Sequence, residues 1–397
     1  MDQQIEDFLK FQGQTNQSPF LINVEKASGI YIYDKDGKSY MDMIAGVAVN
    51  NIGHRHPKVI AALKKQIDKY LHVMVYGEYV QDEPLNFSKK LVSLLPKNLD
   101  SVYTVNSGTE ANEAALKLVK RVTGRSEIIS FRGSYHGSTH GSLSVSGNES
   151  KKAPFRPLLP DIRFLEFNNI DDLDGITTNT AGVIIETIQG DAGVRIPSKD
   201  FLQALRKKCD DLGTLLIFDE IQCGIGRTGK MFGFEHFNVF PDVLTLGKAI
   251  GGGMPIGVLV SSQKNLYEFT YSPMLGHITT FGGNPVIAAA ANACLEVMES
   301  EIDFSEVERL GALLESIVSE NIEIKEVRRI GMMFAFDMES FERVEKVVKK
   351  CLEKGLISFW FLSHPYSFRL SPPLNISEEE IVLAGNIILE AISETEC

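Results

Sequence analysis

No stretch of this chain approaches the roughly 20 apolar residues that a membrane-spanning helix needs, so no such span is expected. Basic residues are outnumbered, 40 Lys and Arg against 52 Asp and Glu, for a net charge of −12. That balance argues against a nucleic-acid partner or an anionic membrane surface. Small anions remain bindable, because single arginines and helix N-termini act locally. Cysteine is sparse, odd in number and scattered, at Cys209, Cys223, Cys294, Cys351 and Cys397. Such spacing forms neither a disulfide ladder nor a CxxC metal site. A reducing cytoplasm is the expected home, where the N-x-S sequons at Asn148 and Asn375 carry no meaning. The opening MDQQIEDFLKFQGQ is polar and acidic, unlike a signal peptide. There is no internal repeat and no low-complexity linker.

What the chain does contain is length and alternation. Its 397 residues suit two or three domains. The segment Gly29–Gly37 reads as a hairpin turning at Asp36-Gly37. His54 and His56 ahead of Pro57 lack a carboxylate or thiol at ligand spacing, so they read as a turn before a helix. From about 85 to 265 apolar runs alternate with amphipathic helices. The pattern predicts helices at 84–95, 109–122 and 199–211. It predicts strands at 101–105, 127–131, 182–188, 214–219, 242–246 and 256–261. Continuous Val/Ile/Leu runs imply a largely parallel sheet covered by helices on both faces. Past 284 the pattern becomes α+β: helices 284–300, 304–320, 341–354 and 377–394, with strands 331–337 and 366–371. Ser377 and Glu380 form a capping box. The expected division is an N-terminal segment (1–60) joining a small α+β domain (284–397), around a large α/β domain (61–283).

Four features carry chemistry, and two further motifs only imitate it. The run Val243–Leu246 delivers Lys248 into a loop with Gly251, Gly252 and Gly253; a desolvated lysine amine is a nucleophile toward carbonyls. A lysine snorkelling from a strand end is the plainer alternative. Asn106-Ser107-Gly108-Thr109 opens a helix and suits a phosphate, or merely a helix cap. Asp219, followed by Glu220, ends the most apolar strand, where ligands of parallel sheets bind, and suits a protonated ring nitrogen. Tyr135 and His136 offer a stacking face and a polar neighbour, or core packing. Gly224-Ile-Gly-Arg-Thr-Gly229 matches GxGxxG and nearly a P-loop. No amphipathic helix follows it, however, and Met231 stands where a magnesium ligand belongs. His136 and His140 are four apart, but Gly137 replaces the glutamate of HExxH, so no metal site is expected. A phosphate cradle, an aromatic plate, an acid for a ring nitrogen and a reactive lysine are the parts that hold pyridoxal phosphate.

With those residues in place, the chain resembles the class III aminotransferases, fold-type I pyridoxal-phosphate enzymes that include acetylornithine, ornithine and 4-aminobutyrate aminotransferases. The likeness runs from about Gly29 to Pro373. It rests on YMDMIAGVAVNNIGHRHP, NSGTEANEAALK, YHG, IQGDAGV, FDEIQCGIGRTGKMFGFEH, LGKAIGGGMPIG, TTFGGNP and FRLSPP. The resemblance implies a large domain with a mostly parallel seven-stranded sheet plus a smaller α+β domain. It makes Lys248 the Schiff-base lysine, Asp219 the ring-nitrogen partner, Gln222 the contact to the ring hydroxyl and Tyr135 the stacking aromatic beside His136. Ser107, Gly108 and Thr109 become the phosphate loop. Thr280 becomes the residue that reaches the neighbouring subunit's phosphate in a homodimer, and Arg369 the clamp on a substrate carboxylate. Three positions depart from the family. Ser138 replaces an arginine of many 2-oxoglutarate users, which leaves pyruvate as an acceptor beside 2-oxoglutarate. Asp191 replaces a glutamate that pairs with the carboxylate-binding arginine. Val47 replaces a substrate-binding tyrosine of ornithine enzymes. The expected activity is transfer of an amino group, with an ω-amino acid as donor, to a 2-oxo acid. Aminomutases, racemases and decarboxylases that share these motifs, and a non-catalytic protein of the same fold, are the competing readings.

Overall fold

The structure, a computed structural model, describes residues 3–395; Cys397 lies outside them. Three short strands come first: β1 (Val24–Ser28), β2 (Tyr31–Asp34) and β3 (Ser39–Asp42). The next seven are β4 (Ser101–Val105), β5 (Glu127–Phe131), β6 (Ile162–Leu165), β7 (Thr180–Glu186), β8 (Leu215–Asp219), β9 (Val243–Gly247) and β10 (Gly257–Ser261). Then follow β11 (Glu326–Ile330), β12 (Met333–Asp337), β13 (Leu356–Ile357), β14 (Phe359–Trp360) and β15 (Ser367–Leu370).

The central sheet has the order β4-β10-β9-β8-β7-β5-β6. Every residue of β7, β9 and β10 is buried, as expected of strands covered on both faces. On one face the helix Gly108–Thr123 packs Ala114, Ala115, Leu118 and Val119 into a cluster with Ile128, Ile184, Ile217 and Leu259. Phe131, Phe201, Leu205 and Phe218 belong to the larger core, which takes in the helix Lys199–Leu212. The neighbours from β9 to β6 are parallel, but β10 runs antiparallel to both β9 and β4. The loop between β9 and β10 holds no crossover helix, and a parallel return needs a dozen or more residues.

Two smaller sheets complete the chain, β1-β2-β3-β13 and β11-β12-β15-β14. β3 pairs in parallel with β13, which ties the N-terminal hairpin to the C-terminal residues. The single strand expected at 331–337 is the second arm of a hairpin. Ile330 pairs with Met333, and Gly331 takes the turn with a positive φ of 54°, a conformation that favours glycine. β11, with the sequence EVRRI, lacks an apolar signature, and the edge strand β6, IRFL, is only four residues long. The helices Pro57–Ile67, Pro285–Ser300 and Glu378–Ser393 stand where expected, the last with the Ser377/Glu380 capping box. His54 is spent on Asp42 at 2.9 Å, and His56 caps the helix that follows.

Register aligns the chemistry. Glu186 at the end of β7 lies beside Asp219 at the end of β8, and Asp219 lies beside Thr245 of β9. Two carboxylates therefore reach the same edge of the sheet, Asp219 one strand and Glu186 two strands from the one that delivers Lys248.

Candidate active site

A cavity of about 240 Å³ opens at that edge, lined by Gly108, Thr109, Tyr135, Asp219, Gln222 and Lys248 among others. It gathers residues from five separate stretches, at the ends of β4, β5, β7, β8 and β9. Lys248 follows β9 directly and is held at a left-handed φ of 48°. A non-glycine residue there costs on the order of 1 kcal/mol, a strain that concentrates at functional sites. Its Nζ makes no hydrogen bond or ion pair among the described residues. Burial lowers the amine below the ordinary lysine value; Asp219 and Glu186 oppose that shift and Arg369 adds to it.

The Asp219 carboxylate is buried and anchored. Its Oδ2 accepts from Asn112 Nδ2 at 2.8 Å and lies 2.7 Å from His136 Nδ1; its Oδ1 accepts from the Ile221 N–H at 3.1 Å. Asn112 is set in turn by the Thr245 hydroxyl, which donates to its Oδ1 at 2.8 Å. Asn112 went unrecognised in the sequence, although an asparagine on the apolar face of a helix was a legible signal. Glu186 also went unrecognised. It lines the cavity and accepts from the Tyr135 and Gly190 N–H groups at 3.0 and 3.2 Å. Burial first, then the charge of Asp219, holds its carboxyl well above the ordinary value. Glu220 does not line the cavity. It accepts from the N–H groups of Gly233 and Phe234 and from the Thr187 hydroxyl, and burial pushes its carboxyl up to about 7.

At the helix start, Ser107 accepts from the Glu110 N–H at 3.3 Å and so caps the helix. The Thr109 hydroxyl lies 2.9 Å from both Thr139 and Ser142. The loop carrying Tyr135 comes close only because of Gly137, where a Cβ would sit 2.2 Å from Thr109 Oγ1 at a φ of 133°. Tyr135 is partly exposed, its hydroxyl 3.1 Å from Ser138. The GxGxxG run forms a buried turn rather than a nucleotide loop. The Arg227 within it binds the Met332 and Pro372 carbonyls and Asn51.

The remaining sequence-derived residues lie farther out. Arg369 on β15 is buried, with its guanidinium 5.6 Å from the Phe359 ring centre and 5.8 Å from that of Phe361. Burial lowers its pKa from the ordinary value, against an opposing pull from Asp191. Asp191 lines a neighbouring cavity of about 310 Å³, which meets the first at Tyr135 and Ser138. Val47 and Thr280 are exposed and line neither cavity. The donor set suits a flat phosphorylated aldehyde: a free buried-side amine, an anchored carboxylate, an aromatic face and a helix N-terminus meet in one cavity.

The model of the aminotransferase class-III family matches residues 12–392. An acetylornithine aminotransferase of Methanocaldococcus jannaschii is 41% identical, over 93% of both chains. A LysW-aminoadipate semialdehyde/glutamate semialdehyde transaminase of Sulfolobus acidocaldarius is 36% identical, over 94% of this chain and 96% of its own. Among solved structures, an ornithine aminotransferase of Toxoplasma gondii superposes with a TM-score of 0.91 at 29% identity, over 98% of this chain and 94% of the other.

Proposed function

The chain belongs to the class-III aminotransferase family and is a pyridoxal-phosphate-dependent transaminase; on that premise we propose that its cofactor sits in the 240 Å³ cavity between Lys248 and Asp219. The observation that carries this reading is the unpartnered Lys248 amine sharing a cavity with an anchored, buried carboxylate. When bound, the cofactor supplies an aldehyde carbon for the amino group and a cationic ring that withdraws electrons.

The protein's own residues do the rest. Asp219 would keep the ring nitrogen cationic, with Asn112 and His136 fixing the direction of its carboxylate. Tyr135 would cover a ring face, Gln222 would meet the ring hydroxyl, and the Ser107-Gly108-Thr109 turn would take the phosphate. Lys248 would hold the cofactor's aldehyde, and its Nζ, when free, would serve as the base that moves a proton from the donor carbon. Arg369 clamps a substrate carboxylate, with Asp191 influencing it electrostatically; Val47, exposed and outside both cavities, is assigned to the substrate side from the family resemblance alone. Residues 61–283 form the cofactor-holding domain. Residues 1–60 and 284–397 form the smaller one.

The donor is an amino acid such as acetylornithine, ornithine or 4-aminobutyrate, and the acceptor 2-oxoglutarate or pyruvate; within that range, the names of relatives at 35–41% identity support acetylornithine as donor. The active unit is a homodimer in which Thr280 reaches the other subunit's phosphate. Exposed Val80, Met274 and Phe281, near a third cavity of about 640 Å³, support a covered surface there. Four buried free thiols support a reducing cytoplasm. The test is a screen of these donors against pyruvate and 2-oxoglutarate, read as keto product formed. Turnover with one pair is expected, and none with any pair would overturn the assignment.

A further inference from the structure

Arg369 is a buried guanidinium without a carboxylate partner. No hydrogen bond or ion pair engages it among the described residues, and its neighbours are the rings of Phe359 and Phe361. Phe359 stands directly across from it in the β14–β15 pair. Asp191 influences it electrostatically, yet the Asp191 oxygens are engaged elsewhere. Oδ2 accepts from the Ser363 hydroxyl at 2.7 Å and Oδ1 from the Leu362 N–H at 3.3 Å. Ser363 accepts in turn from Asn148 Nδ2 at 3.1 Å. The Asp191 loop is held a second time from β11, where Arg328 Nε donates to the Gly193 carbonyl at 2.6 Å.

Resting on the reading of Arg369 as the substrate clamp, we propose that Asp191 is a positioning residue for carboxylate recognition. It fixes the Leu362–Ser363 backbone, and with it the adjoining Phe361 against which Arg369 lies, and leaves the guanidinium open instead of neutralising it. An aspartate at this point is too committed to two donors to swing onto Arg369 and off again. The clamp is therefore open in both halves of the reaction.

Substitutions separate this role from that of a charge partner. Asn at 191 keeps an oxygen for the Leu362 N–H and an amide that Ser363 can accept, but carries no charge. The holoenzyme variants Asp191→Asn, Asp191→Ala, Ser363→Ala and Arg369→Gln are compared by KM and kcat. A second readout is the calorimetric Kd of an unreactive carboxylate, propionate. Asp191→Ala and Ser363→Ala are expected to raise KM and Kd roughly tenfold, the loss of a hydrogen bond to a charged group, with kcat within about twofold. Asp191→Asn is expected to stay near wild type, and the Asp191→Ala/Ser363→Ala pair to be no worse than Asp191→Ala alone. Asp191→Asn behaving like Asp191→Ala would make the charge the operative feature and overturn the proposal, as would unchanged affinity in Asp191→Ala and Ser363→Ala. Unchanged propionate binding in Arg369→Gln would instead remove the clamp itself, and with it the reading on which the proposal stands.

Discussion

His136 Nδ1 lies 2.7 Å from Asp219 Oδ2, and both side chains are buried. The same oxygen accepts from Asn112, so two neighbours aim one carboxylate at the cavity. Asp219→Asn keeps the shape and removes the charge; kcat should fall roughly a hundredfold or more, in line with loss of a preorganised electrostatic partner. Asn112→Ala leaves the charge but frees its direction, and should cost about tenfold in kcat and weaken cofactor retention. Steady-state assays, with the cofactor content of each purified variant, check both.

Lys248 should stand out from the other lysines once the cofactor is removed. Its lowered pKa, caused by burial, leaves more free amine at neutral pH than a surface lysine has. Brief treatment of the apoprotein with an aldehyde and a hydride reductant at pH 7, read by peptide mass mapping, should modify Lys248 first. Added cofactor should protect it.

Glu220 makes stability depend on pH. Its folded value of about 7 lies above the ordinary 4.5. Between those values the folded chain keeps a proton that the unfolded chain has lost, so stability falls as pH rises through the window. The loss is of order 3 kcal/mol and is complete above about 7. Urea unfolding of the wild type against Glu220→Gln from pH 4.5 to 8 should show a steeper fall in the wild type, since Glu186, also raised by burial, tilts both curves the same way. Any fixed cost of the amide displaces the variant's curve without tilting it.

Arg227 is fully buried and joins three distant parts of the chain through Met332, Pro372 and Asn51. Arg227→Met fills much of the volume but strands two carbonyls and an amide oxygen. A destabilisation of about 3 kcal/mol is expected, read as a lowered urea midpoint, with kcat of the folded fraction retained.

Lys248 and Asp219 were readable because a charge at the end of an apolar strand has few structural uses. Asn112 and Glu186 obeyed the same logic but were absorbed into a helix and a strand read for their apolar neighbours. The direction of β10 was hidden, since buried parallel and antiparallel strands share a composition; only the short loop after β9 distinguishes them. β6 has four residues and β11 carries two arginines in five, so neither offered a pattern long enough to read, and pairing with their neighbours decided both. Asp191 was visible as a departure from its family, but its bonds to Leu362 and Ser363 span some 170 positions, a distance no spacing argument bridges. Val47 and Thr280 came from resemblance, and within one chain both stand on exposed surface.

The central claim is that Lys248 and Asp219 together move an amino group onto a bound aldehyde and off again. The direct measurement is a single half-reaction. Holoenzyme is mixed with an amino donor and no 2-oxo acid, and keto product is counted per chain while the cofactor's near-visible absorbance is followed. One equivalent of product should appear as that band disappears, a 2-oxo acid should restore it, and Lys248→Ala should do neither. Product released continuously without an acceptor, or a full half-reaction in Lys248→Ala, would contradict the account.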